Sequence, residues 1–268
     1  MQVPLYQVDA FTDRVFSGNP AAVCPLNSWP ADTLLQAIAA ENNLSETAFF
    51  VTEGDGWRLR WFTPATEVDL CGHATLAAAH VIRHHLGVAE GAIHFATQSG
   101  PLIVRPLEDG LLEMDFPARA PQPTVIEDGF VRGLGAPPEE ILRARDFLAV
   151  YHSEAEVRNL TPDMGGLEHF LKRTAPDGGL IVTAPADEGR DYDIVSRFFV
   201  PHFGIPEDPV TGSAHCTLVP YWARRLGLAK VTARQVSPRG GTLYCQDAGE
   251  RILIAGRCAD YLNGEITL

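Results

Sequence analysis

Residues 60–87 read RWFTPATEVDLCGHATLAAAHVIRHHLG, and residues 197–227 read RFFVPHFGIPEDPVTGSAHCTLVPYWARRLG. Laid over one another, the two stretches keep the same landmarks. Arg60 and Arg197 each stand four residues before a proline, Pro64 and Pro201. Gly72 and Gly212 each stand fifteen residues before a second glycine, Gly87 and Gly227. Between the proline and the first glycine the second copy is longer, 11 residues against 8. Upstream the likeness continues weakly, AFFVT at 48–52 against GLIVT at 179–183. A repeat this long indicates duplication and two similar domains, not a solenoid of short units.

Each copy reads strand, turn, loop, helix. LRWFT and SRFFV are β-rich runs, and HATLAAAHVIRHHL after Gly72 is almost all small or apolar over a broad face, the mark of a buried helix. Gly87 and Gly227 are natural left-handed terminators. Pro220, eight residues after Gly212, is expected to kink the second helix or loosen the hydrogen bond to Cys216. SWPADTLLQAIAAENN predicts another helix, with Ser28 or Asp32 as cap and Pro30 in an early turn. EEILRAR predicts a further one, and the rest reads mostly as short strands. The expected fold is α+β with a pseudo-twofold: an N-terminal domain over 1–118 and a C-terminal domain over 119–268, joined through PARAPQP at 117–123.

The 268 residues suffice for two ordinary cores. A net charge of −13, spread along the chain, shows no basic face for nucleic acid. Five cysteines without CxxC spacing argue against a disulfide framework and against a cysteine zinc knuckle. MQVPLYQVDAFTD lacks the basic start and apolar run of a signal peptide, and no apolar stretch is long enough to span a bilayer. The expectation is a soluble cytoplasmic protein.

Both repeated helices begin with glycine and a polar residue, Gly72–His73 and Gly212–Ser213. A helix start carries unpaired N–H groups and partial positive charge, and glycine lets a ligand approach the backbone closely. Two such starts facing one another across a cleft would hold a small anion, most plausibly a carboxylate. The plain alternative is that Thr211 and Ser213 are ordinary N-caps and Gly72 a loop glycine. Glu46, in NNLSETAFF, is either a solvated turn carboxylate or, if it points into a closed cleft, a proton shuttle tuned by desolvation. Asp208 could bind a substrate amine or hydroxyl, or orient His73.

Together, FTDRVFSGNPAAV, NLSETAFF, RWFTPATEVDLCGHATLAAAHV, DPVTGSAHCTLVPYWA and SPRGGTL resemble the PhzF (phenazine biosynthesis-like) family, within the diaminopimelate-epimerase-like fold, nearly end to end. The resemblance implies two similar domains, each a curved mixed or antiparallel sheet around a central helix, with the last ten or so residues returning to the first domain. It implies a site between the domains, no metal, no organic cofactor, and a homodimer. The family's catalytic glutamate falls on Glu46, its site histidine on His73, its aspartate on Asp208 and its serine on Ser213. Ser45, Cys71, Gly72, Ala74, Thr211 and Gly212 flank them as expected substrate contacts. In the phenazine enzyme this set isomerises a dihydro-hydroxyanthranilate, the glutamate moving a proton between ring carbons on one face. Phenazine-pathway members more often carry Ala-Gly-His-Pro where this chain has CGHAT, so chemistry carries over better than substrate.

The expectation is therefore a cofactor-independent isomerase of a small carboxylate. In diaminopimelate epimerase two cysteines flank the site; Cys71 holds the first place and Thr211 the second. That leaves an epimerase or racemase using Cys71, or a non-catalytic ligand binder, as the alternatives. A metal on His73, His80 and His84 lacks an HExxH motif; His80 and His84 read more plainly as an exposed helix face, and IRHHLG as a last turn where His and Arg favour the negative helix end. Glycine-rich nucleotide loops are absent, and a hydrolase built on Ser213, with His73 or His215 and Asp208, lacks the GxSxG elbow.

Overall fold

The structure is a computed structural model that describes residues 2–88, 90–125 and 128–268. The chain forms two units, Met1–Asp115 with Ala255–Leu268, and Phe116–Ile254.

The first unit contains β1 (Gln2–Ala10), β2 (Asn19–Pro25), α1 (Asp32–Asn42), β3 (Glu46–Glu53), β4 (Gly56–Phe62), β5 (Glu67–Val68), α2 (Gly72–His84), β6 (Ile93–Thr97), β7 (Gly100–Pro106) and β8 (Leu112–Pro117). The second holds β9 (Gln122–Pro123), α3 (Asp128–Gly133), β10 (Glu140–Arg143), β11 (Phe147–Val150), α4 (Glu154–Asn159), α5 (Met164–Thr174), β12 (Leu180–Pro185), β13 (Ile194–Val200), β14 (Ile205–Asp208), α6 (Gly212–Leu226), β15 (Lys230–Gln235), β16 (Gly241–Asp247) and β17 (Arg251–Gly256). The unit boundaries fall within β8 and β17, so Gly256 belongs to the first unit, as does β18 (Cys258–Thr267), which pairs antiparallel with β1.

The duplication is visible in the strand pairing. In the first unit β2 runs parallel to β3, β3 antiparallel to β4, β4 parallel to β6, and β6 antiparallel to β7. In the second, β11, β12, β13, β15 and β16 repeat those directions one for one. Each parallel pair needs a crossover. α1 supplies the first, burying Leu35, Ile38 and Ala39 against Phe49 and Phe62. α2 and α6 supply the crossovers β4–β6 and β13–β15, so the matched glycines of the repeat open matched helices.

α2 is buried from His73 to Ile82, on every face. Ala74, Ala77, Ala78 and Ala79 keep the helix slim enough for strands to close around it, while Leu76 and Ile82 fill the core between. Gly256 is another such point: a Cβ there would lie 2.5 Å from Phe11 Cδ1 and 3.2 Å from Leu76 Cδ2. α6 continues through Pro220, which has no N–H to donate to Cys216 O; the backbone N–H of Arg119 takes that carbonyl instead, at 2.8 Å. Gly227 caps α6 with φ +70, whereas α2 ends at His84, ahead of Gly87.

Three expectations need correction. Neither Ser28 nor Asp32 caps α1: its N-cap is Ala31, without a side-chain bond, and Asp32 instead accepts a 2.8 Å bond from Arg60. EEILRAR is not a helix. Residues 140–143 pair as β10 with β11, Leu142 opposite Leu148, because this short segment gains more from a hairpin than from a nucleus it cannot extend. Finally, α4 and α5 are helices that the mostly strand-like reading of the remaining chain does not anticipate; α4 begins with a complete capping box, Ser153 and Glu156.

Candidate active site

In the first unit, Glu46 is the first residue of β3, held in register opposite Ala21 of β2. His73 is the second residue of α2, and the N-cap, Cys71, makes no side-chain capping bond. Glu46 Oε2 lies 3.3 Å from His73 Nε2, with side-chain exposures of 16% and 7%. Their alignment falls short of a hydrogen bond. The spacing would suit an ion pair, but burial pushes the His73 imidazole down to about 3, so near neutrality the ring is uncharged.

The other ring nitrogen is occupied. The Asn19 amide donates to His73 Nδ1 at 3.3 Å, and Cys71 Sγ lies 3.5 Å from the same atom. With Nδ1 accepting, the ring hydrogen sits on Nε2, the nitrogen nearer Glu46. Asn19 is placed by a turn at Gly18, where φ is +67 and a Cβ would lie 2.2 Å from Ala10 O, so only glycine serves there. Buried Thr75 returns its hydroxyl to Cys71 O at 2.6 Å, fixing the helix entry. Ala74 is buried, and Ser45 and Gly72 are half-buried.

In the second unit, Asp208 closes β14 and is 9% exposed. Thr211 is the N-cap of α6, and it too makes no side-chain capping bond. Its hydroxyl instead donates to Asp208 Oδ2 at 2.5 Å. Fully buried Gln235 locks this corner: its Oε1 accepts the Thr211 N–H at 2.9 Å, and its Nε2 donates to Asp208 O at 2.8 Å. The Ser237 hydroxyl donates to Pro209 O at 2.7 Å and accepts the Gly240 N–H at 3.0 Å, which gives the SPRGG stretch a structural task. Gly212 is buried, and Ser213 half-buried at the helix start. His215 does not join Ser213: its Nδ1 donates to Thr211 O at 2.8 Å, and burial lowers the imidazole to about 4.

The paired arginines of the repeat do matched work. Arg60 Nε and Nη2 bind Glu67 at 2.7 and 2.8 Å, while Arg197 Nε and Nη2 bind Glu207 at 2.8 and 2.9 Å. Each fork ties a middle strand to the segment leading into α2 or α6.

Residues flagged separately in the sequence are thus assembled as Glu46–Cys71–His73 in one unit and Asp208–Thr211 in the other. Asn19, Gln235, Glu67 and Glu207 were not singled out. The repeat already marked Arg60 and Arg197, so an acidic partner for each was there to be sought; Asn19 and Gln235 carry no local signal. One donor atom from each of Glu46, Cys71 and His73 lies within 4.8 Å of the others, so these atoms could also take a zinc-sized cation. Among the described residues, no helix is long and apolar enough to cross a membrane.

The mixed sheets and buried crossover helices define an α+β architecture shared with epimerases and racemases. A probable proline racemase from Agrobacterium radiobacter has this fold at 11% identity, with a TM-score of 0.63 covering 99% of this chain and 93% of that one. A family model described as phenazine biosynthesis-like protein matches residues 8–264. A protein of Pseudomonas aeruginosa named an uncharacterized isomerase is 49% identical over 268 residues, both chains covered in full. A crystal structure of a PhzF family protein from Enterococcus faecalis superposes with a TM-score of 0.93 at 45% identity, covering 100% of each chain. The chain belongs to the PhzF, or phenazine biosynthesis-like, family.

Proposed function

We propose that this protein is a cofactor-independent isomerase that moves a proton between carbons of a small carboxylate-bearing substrate, with Glu46 as the acid/base group. The observation that carries this reading is Glu46 Oε2, largely buried and 3.3 Å from a neutral His73. A carboxylate removes a carbon-bound proton most readily where the resulting charge meets fixed dipoles rather than mobile water. His73, its Nδ1 held by Asn19, carries its ring hydrogen on Nε2, the nitrogen 3.3 Å from Glu46 Oε2, and stays uncharged beside the carboxylate. Each unit offers a helix start suited to a substrate carboxylate: the Gly72–His73 amides of α2 in the first, and Ser213 with the Gly212–Ser213 amides of α6 in the second. Asp208 is occupied by Thr211 and shapes the α6 start. One shuttle suffices for transfer on one face.

Cys71 supports a second reading. Its sulfur lies 3.5 Å from His73 Nδ1, so it too could exchange a proton in an epimerase or racemase. The counterpart in α6 is Thr211, a poor carbon base whose hydroxyl is already given to Asp208.

The experiment incubates the protein in deuterated water with cyclic and unsaturated carboxylic acids and follows carbon-bound deuterium by NMR. At least one acid is expected to exchange or isomerise with wild-type protein, and Glu46→Gln is expected to bind that acid without exchanging it. Binding by wild type with no exchange in any acid would identify a binder instead.

A further inference from the structure

The last turns of α2 carry a histidine group that the proposed reaction does not use. His80 Nε2 lies 3.1 Å from Asp260 Oδ1, and His85 Nε2 lies 3.0 Å from the same oxygen. The three donor atoms are all within 4.8 Å of one another. The sequence suggests His80 with His84, a helical i, i+4 pair; the structure instead joins His80 with His85 through a carboxylate 180 residues away. His84 stays exposed, its ring stacked 4.4 Å from that of His80.

We propose that His80, His85 and Asp260 form a binding site for a divalent transition-metal ion of the zinc type. Three features of the unit favour it. Neutral imidazole nitrogens and one carboxylate oxygen are the borderline donors that zinc, cobalt and nickel prefer over calcium or magnesium. Donors about 2.0–2.1 Å from a tetrahedral ion stand ~3.3 Å apart, so the observed separations from Asp260 need to open by only a few tenths of an ångström. The donors are also held in place. The Tyr6 ring packs 4.6 Å from His85, and His80 is 9% exposed. The β1–β18 register shifts between Gln7 and Val8, from Gln7 opposite Leu262 to Val8 opposite Asp260, skipping Tyr261. Such a bulge re-aims the side chain next to it. Asp260, with its side chain 47% exposed, leaves a path for the ion and for a water in the fourth position. The bound metal would fasten the last turns of α2 to β18, with His80 about 10 Å and the helix end about 17 Å along the axis from His73.

The test uses the full chain, stripped with a chelator and dialysed. Cobalt is titrated by visible absorbance, and zinc by calorimetry and thermal melting. One equivalent should bind with a Kd in the micromolar range or tighter. Zinc at one hundred times its Kd should raise Tm by about 5–10 °C. Asp260→Asn and His85→Gln should each weaken binding at least tenfold, whereas His84→Gln and Glu46→Gln should not. Using two ligand variants guards against one that folds poorly, and circular dichroism of the metal-free forms checks this. Absence of saturable binding below about 100 µM, or binding that follows Glu46 or His84 instead of Asp260 and His85, would overturn the proposal.

Discussion

Lowering the pH from 7.5 to 5.0 should destabilise the protein through two histidines that folding keeps neutral. His73 and His215 are both buried, with imidazoles lowered from 6.5 to about 3 and about 4. Because both folded values lie below the unfolded one, the unfolded chain takes up protons first as pH falls. The margin is complete above about pH 7 and is lost as pH drops from 6.5 toward the folded values. At pH 5 each imidazole is almost wholly protonated in the unfolded chain and hardly at all in the folded one, a loss of about 2 kcal/mol per histidine. Set against a typical total of 5–15 kcal/mol, that is a large fraction. Urea unfolding followed by circular dichroism at both pH values, for wild type, His73→Gln and His215→Gln, measures it. Each variant should show a pH dependence smaller than wild type by about 2 kcal/mol. Asp146, which burial raises, opposes the trend but cancels in the comparison. A wild-type loss below about 1 kcal/mol, or variants with unchanged pH dependence, would mean that folding does not hold these imidazoles neutral.

Gln235→Leu should strip the bonds to Thr211 and Asp208 and strand buried backbone groups, lowering stability by about 2–4 kcal/mol; urea midpoints read the loss, and catalytic rate should fall with it. Gly256→Ala should overpack Phe11 and lower stability by about 1–3 kcal/mol, visible as a reduced Tm. Exhaustive chelation should leave turnover of an identified substrate unchanged while lowering the Tm of metal-loaded protein; loss of turnover would instead point to an ion at Glu46, Cys71 and His73.

The architecture was readable where one physical requirement dominates a whole segment. The run from His73 to Ile82 is almost all small or apolar, the composition of a helix enclosed on all sides, and it is buried throughout. The consequence of Pro220 was foreseeable down to the carbonyl left over, although not the Arg119 amide that answers it. Local propensity misled at EEILRAR, where a hairpin partner decides the conformation, and α5 was hidden by the glycine pair behind its Asp163 cap. At the candidate site, Glu46, Cys71 and His73 were visible as residue types in an ordered pattern. Asn19 and Gln235 were not, because their importance comes from hydrogen bonds across 54 and 24 residues of chain.

The proposed reaction places the proton on Glu46 rather than on Cys71. Once an exchanging acid is in hand, the most direct measurement is its initial rate of carbon-bound deuterium incorporation in wild type, Glu46→Gln and Cys71→Ala. Removing the acid/base group should slow exchange by roughly 10²–10⁴-fold, while Cys71→Ala should stay within a few-fold of wild type. Exchange that survives Glu46→Gln and disappears with Cys71→Ala would rule out Glu46 as the proton carrier and assign the chemistry to the thiol.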